Sequence, residues 1–109
     1  MVVLLLAATL ALGTHTGVAR PHLSVPDTAP FTVRGTGFRI GERVSIVVNA
    51  RNRASRTVTA GVAGGFLARM PAVKLGSCPA YAVQARGSRG SRASLKVVPE
   101  CAALQPVDR

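Results

Sequence analysis

"VRGTGFRIGERVSIVV", residues Val33 to Val48, decides how the whole chain is read. Its Gly35-Thr36-Gly37-Phe38-Arg39-Ile40-Gly41 run has the outline of a phosphate-cradling glycine loop with an arginine inside it. A dinucleotide loop needs a strand, then G-x-G-x-x-G, then a helix, and an acidic residue about 20 positions later. Here the spacing is G-x-G-x-x-x-G, and the following "ERVSIVVNA" alternates and is β-branched, which makes it a strand. The Gly-Lys-Ser/Thr of a P-loop is missing too. The stretch therefore reads as strand, bend, turn and strand. Gly35 and Gly37 permit a bend or bulge, Phe38 folds back as an apolar plug, and Ile40-Gly41-Glu42 turns into the next strand.

The same period of two runs on from Phe31. Val44, Ile46 and Val48 alternate with Ser45 and Asn49, and Val58, Ala60 and Val62 with Thr57, Thr59 and Gly61. Tyr81, Val83 and Ala85 alternate with Gln84 and Arg86, and Ala93, Leu95 and Val97 with Ser94 and Lys96. Gly64-Gly65 is placed to join two runs as a two-residue hairpin turn. All seven prolines lie between runs or at their ends, where a missing N–H does little harm. Outside the N-terminal segment no ten-residue window has helical periodicity. The expectation is an all-β domain of about seven short antiparallel strands near 22–26, 31–35, 43–50, 56–63, 66–70, 80–87 and 92–98. That spacing suggests a two-sheet sandwich of immunoglobulin type.

The chain has 109 residues, room for one domain. Residues 1–19 carry no charge and contain an apolar run from Val2 to Leu12, shorter than the roughly 20 residues that span a bilayer. With "GVA" before Arg20, the segment reads as a secretory signal peptide, although no Lys or Arg precedes the run. The expected division is signal peptide 1–19, β domain 20–101 and a short tail 102–109, with no transmembrane anchor. A domain of that size is marginal without a staple. Cys78 and Cys101 supply a candidate disulfide, fitting an exported chain that is secreted or held at the cell wall. If the last two strands form a hairpin about residues 87–91, facing residue numbers total about 178. Cys78 and Cys101 then sit opposite one another at its base.

Fourteen basic residues against four acidic ones give a formal charge of +10, and twelve of the fourteen are arginine. Two segments concentrate them: "RNRASR" (Arg51, Arg53, Arg56) and "RGSRGSR" (Arg86, Arg89, Arg92). The strand order is expected to bring both loops to one tip, where six guanidiniums would attract a polyanion in a salt-dependent way. Anionic envelope polymers such as wall phosphates, anionic lipid headgroups, acidic glycans and extracellular DNA are the candidate partners. The competing reading is that arginine is abundant for compositional reasons and loops simply hold it in solvent. Base-specific nucleic-acid recognition has no helix or aromatic platform to work with. Asp27, Glu42, Glu100 and Asp108 form no pair suited to general acid/base work, and His15 and His22 flank the signal junction. No catalytic residues, metal ligands or cofactor site are expected, and the chain reads as a non-enzyme.

"TVRGTGFRIGERVSIVV", "VTAGVAGGFLARM" and "YAVQARGSRGSRASLKVV" also follow the running order of bacterial secreted immunoglobulin-like modules of the IPT/TIG type. More distantly, they resemble the neocarzinostatin-type apoproteins. The first resemblance implies a sandwich fold and non-catalytic structural or interaction work. The second implies a small-molecule carrier with an apolar cleft of about 300 Å³ or more between sheet and loops.

Overall fold

A computed structural model describes residues 20–99 and 101; the expected signal segment 1–19 and the tail 102–109 lie outside them. Seven antiparallel strands form two sheets: β1 (His22–Thr28), β2 (Phe31–Thr36), β3 (Arg43–Asn49), β4 (Arg53–Thr59), β5 (Phe66–Arg69), β6 (Tyr81–Gly87) and β7 (Arg92–Val97). One sheet has the order β1-β2-β5 and the other β4-β3-β6-β7. The strand that follows the opening glycine run is thus β3, one of the two inner strands of its sheet, hydrogen-bonded on both sides.

β3 illustrates why the alternation specifies the fold. Val44, Ile46 and Val48 point inward and are fully buried, while Arg43, Ser45 and Asn49 face out. Burying each aliphatic side chain is worth about 1.5–3 kcal/mol, and a one-residue slip would turn all three to water. Leu23, Phe31, Val33 and Ala68 of one sheet meet Val44, Ile46, Val48, Val83 and Ala85 of the other in a single core. The Phe31 and Tyr81 rings link the sheets edge to face, with centroids 5.0 Å apart. Phe38 is 5% exposed and its ring lies 5.2 Å from Phe66, so it plugs one end of the core as expected.

Three details differ from the expectation. Gly35 is not at a bend; it lies within β2, pointing inward, and the Phe66 ring occupies the space a Cβ would take. The bend falls at Gly37, whose φ of 79° favours glycine and whose backbone lies against the Arg20 carbonyl. Gly64-Gly65 makes no hairpin, because β4 and β5 belong to different sheets. Residues 60–65 instead cross between the sheets, held by Gly61 N to Gly65 O (2.8 Å) and Phe38 N to Gly64 O (3.0 Å). Consequently β4 ends at Thr59, and Val62, expected within a strand, stands in the crossing loop.

Cys78 and Cys101 form a disulfide with Cα atoms 6.0 Å apart. The hairpin register runs from Tyr81 opposite Val97 to Arg86 opposite Arg92, a constant total of 178. The bridge therefore closes the open base of the β6–β7 hairpin, where the register puts it.

Candidate functional site

The end of the molecule away from the disulfide is assembled from three loops, residues 37–42, 60–65 and 88–91, with Arg20 and Pro21 beside them. At their junction sits Glu42, the only fully buried carboxylate among the described residues, at 0% exposure. Its Oε1 accepts from Arg39 N (3.0 Å) and Ser91 Oγ (2.7 Å). Its Oε2 accepts from Arg89 N (2.8 Å) and Ser91 N (3.3 Å). The Glu42 backbone completes the junction: its carbonyl accepts from Ala60 N (2.8 Å) and its N–H donates to Arg39 O (3.0 Å). One residue thus joins all three loops. Gly87 is required beside it, since a Cβ there would overlap the carboxylate.

Burial alone would push the Glu42 carboxyl up. The Ser91 hydroxyl and the backbone N–H groups of Arg39, Arg89 and Ser91 outweigh that and hold it down at about 2. The carboxylate is therefore ionised at neutral pH and satisfied by four donors, none of them a guanidinium. This leaves the arginine side chains around it pointed outward. Arg39, Arg43, Arg86, Arg89 and Arg92 are all exposed at or next to this end, and Arg89 Nη1 donates to Ile40 O (3.1 Å). A cleft of about 580 Å³ opens here, lined by Arg39, Arg89, Arg92, Pro21, Phe38 and Ser91 among others.

The expected tip of six arginines is not what the strands build. β3 and β6 are antiparallel neighbours, so the loop leaving β3 and the loop leaving β6 must lie at opposite ends. Asn49 pairs with Ala82 and Arg53 at one end, while Val44 pairs with Gly87 at the other. Arg86, Arg89 and Arg92 therefore stand apart from Arg51 and Arg53. Arg56 belongs to neither loop. It lies within β4 opposite Ile46, and its Nη1 donates to Arg69 O on β5, joining the open edges of the two sheets.

The arrangement adds Arg39 and Arg43 to the site, both from the opening stretch. Their proximity to residues 86–92 is invisible locally, because Glu42 bonds to positions 47 and 49 residues later. The only available signal was a lone acidic residue in a very basic chain, beside a turn glycine. Among the described residues no group of three or more His, Cys, Asp and Glu could hold a metal ion, and no helix is long and apolar enough to cross a membrane. Comparisons with family models, curated proteins and solved structures found no match.

Proposed function

We propose that the chain is an exported, immunoglobulin-like binding module without catalytic chemistry, and that it engages anionic material of the cell envelope through its arginine-rich end. The observation that carries this reading is the cleft rimmed by Arg39, Arg89 and Arg92, with the neighbouring carboxylate sealed beneath it. An arginine fork matches phosphate and carboxylate geometry, and several forks around one concavity favour a polyvalent anion. The strand orders β1-β2-β5 and β4-β3-β6-β7 support the immunoglobulin-like reading. They bring the β2–β3 and β6–β7 loops to one end, as in that arrangement. The disulfide fits an oxidising compartment and so supports export.

The carrier alternative needs an apolar cleft. The cleft found is large enough, but arginines rim it and its one large apolar side chain, Phe38, is committed to the core. A small anionic ligand suits it better than an apolar one.

Retention on heparin and on immobilised polyphosphate, measured across a salt series, tests the reading. The Arg39→Ser, Arg89→Ser double variant is expected to elute at much lower salt than the Arg51→Ser, Arg53→Ser double variant, although both remove two charges. Equal losses would mean that bulk charge alone drives retention, and the proposed site would be wrong.

A further inference from the structure

We infer that this end docks on the headgroup surface of an anionic lipid bilayer. The inference rests on the reading of the arginine-rich end as anion-binding, and it names the partner. Its independent support is apolar. Ile40 is 61% exposed and Val62 87% exposed, and they stand on adjacent loops tied by Gly41 N to Ala60 O (2.9 Å) and Phe38 N to Gly64 O (3.0 Å). Both aliphatic side chains are thus offered to solvent among the arginines, with the Arg89 guanidinium bonded to the Ile40 carbonyl. The other large exposed aliphatics stand singly: Leu67 faces out on β5, and Val98 follows β7 toward the disulfide.

A soluble polyanion would satisfy the guanidiniums but give Ile40 and Val62 nothing to enter. A headgroup layer satisfies both, with anionic phosphates at the arginine level and acyl chains just below. Such a pairing of exposed apolar loop tips with a basic surround is the composition of an interfacial binding surface.

The test uses the full chain with its disulfide intact and vesicles of phosphatidylcholine with or without one third phosphatidylglycerol. Binding to the anionic vesicles is expected to exceed binding to neutral ones at least tenfold, and to weaken as salt rises. Ile40→Ser with Val62→Ser, both at exposed positions, should cut the anionic-vesicle affinity at least tenfold while leaving heparin retention unchanged. The indole of a Val62→Trp variant should shift its emission to the blue on anionic vesicles but not on heparin. Vesicle affinity unchanged by the serine substitutions, or an indole that stays in water on vesicles, overturns the lipid inference. Heparin retention without preference for anionic vesicles also overturns it, while leaving the anion-binding function standing. Loss of both heparin and vesicle binding would sink the two together.

Discussion

Both ends of the four-stranded sheet are rich in basic residues, yet they are closed by different chemistry. At one end a covalent bridge, Cys78–Cys101, ties the base of the β6–β7 hairpin. Asn52 tidies the same end, donating to Ala72 O (2.7 Å) and accepting from Lys74 N (2.8 Å). At the other end the buried Glu42 carboxylate ties loops 37–42 and 88–91 through four hydrogen bonds, and its backbone carbonyl holds the third loop at Ala60. The bridge is indifferent to pH and to the charges around it. The carboxylate is not, and because backbone amides and a serine satisfy it, it neutralises no arginine. That difference explains how one end keeps a tightly bonded loop cluster and a fully presented set of guanidiniums at once.

Breaking the covalent end should have the largest effect. The bridge closes a loop of about 24 residues, worth about 3 kcal/mol in a chain-entropy account. Cys78→Ser with Cys101→Ser is expected to lower the thermal midpoint by on the order of 15 °C in a domain of this size. Calorimetry of reduced and oxidised wild type checks the same quantity without substitution. A shift of only a few degrees would mean that the sheets hold the hairpin base closed unaided.

Breaking the other end at Glu42→Gln should cost about 2 kcal/mol. The amide keeps the shape but turns an –NH2 toward N–H donors and forfeits charge-assisted bonds. Its pH signature is distinctive. The carboxyl titrates at about 2 in the folded chain against 4.5 ordinarily, so the stabilisation is complete above about pH 5. It fades as pH falls through 4.5 and is gone once pH has passed below the folded value. Urea midpoints of wild type and Glu42→Gln should therefore converge as pH drops from 7 to 2. The cysteine variant should run parallel to wild type over the same range. A constant gap between wild type and Glu42→Gln would show that the carboxylate's charge contributes nothing.

A smaller effect is expected at Arg56, which lies at neither end. Arg56→Met keeps the stem along the β4 edge and loses the bond to the Arg69 carbonyl. A loss of about 0.5–1 kcal/mol in chemical denaturation is expected, with polyanion retention close to wild type. A large fall in retention would return Arg56 to the binding surface.

How much of this was legible in the chain follows from the range of the interactions. β3 could be read because Val44, Ile46 and Val48 declare their face within five residues, and β6 and β7 likewise. The disulfide was legible because a hairpin converts sequence distance into register. The first three residues of β4 are hidden in the sequence, since Arg53, Ala54 and Ser55 pair with β3 through their backbones and carry little apolar signal. The Gly64-Gly65 turn looks the same in sequence whether it joins strands of one sheet or crosses between two. The site was the least legible part, for it depends on which loops share an end. Strand order alone does not say that the loops leaving β3 and β6 lie at opposite ends, since that follows from the antiparallel pairing of the two strands, and nothing near Glu42 announces Ser91.

The smallest predicted effect sharpens the contrast between the ends by asking what the charge does to the fold. Arg86 and Arg92 face each other directly across β6 and β7 on the exposed side of the sheet. Like charges so placed repel, by about 0.2–1 kcal/mol. Arg53, by contrast, pairs with the neutral Asn49. Arg92→Glu should therefore stabilise the domain by a few tenths of a kcal/mol at low salt, a gain that disappears as the Debye length falls toward about 3 Å near 1 M salt. Arg53→Glu, with no like-charged residue opposite, should gain less. Paired denaturation curves at low and high salt read the difference, with heparin retention measured on the same samples. If Arg92→Glu gains stability as retention falls, the fold tolerates a repulsion that binding uses. If it loses stability instead, Arg92 belongs to the packing of the sheet, and the arginine-rich end has one fewer group to offer a ligand.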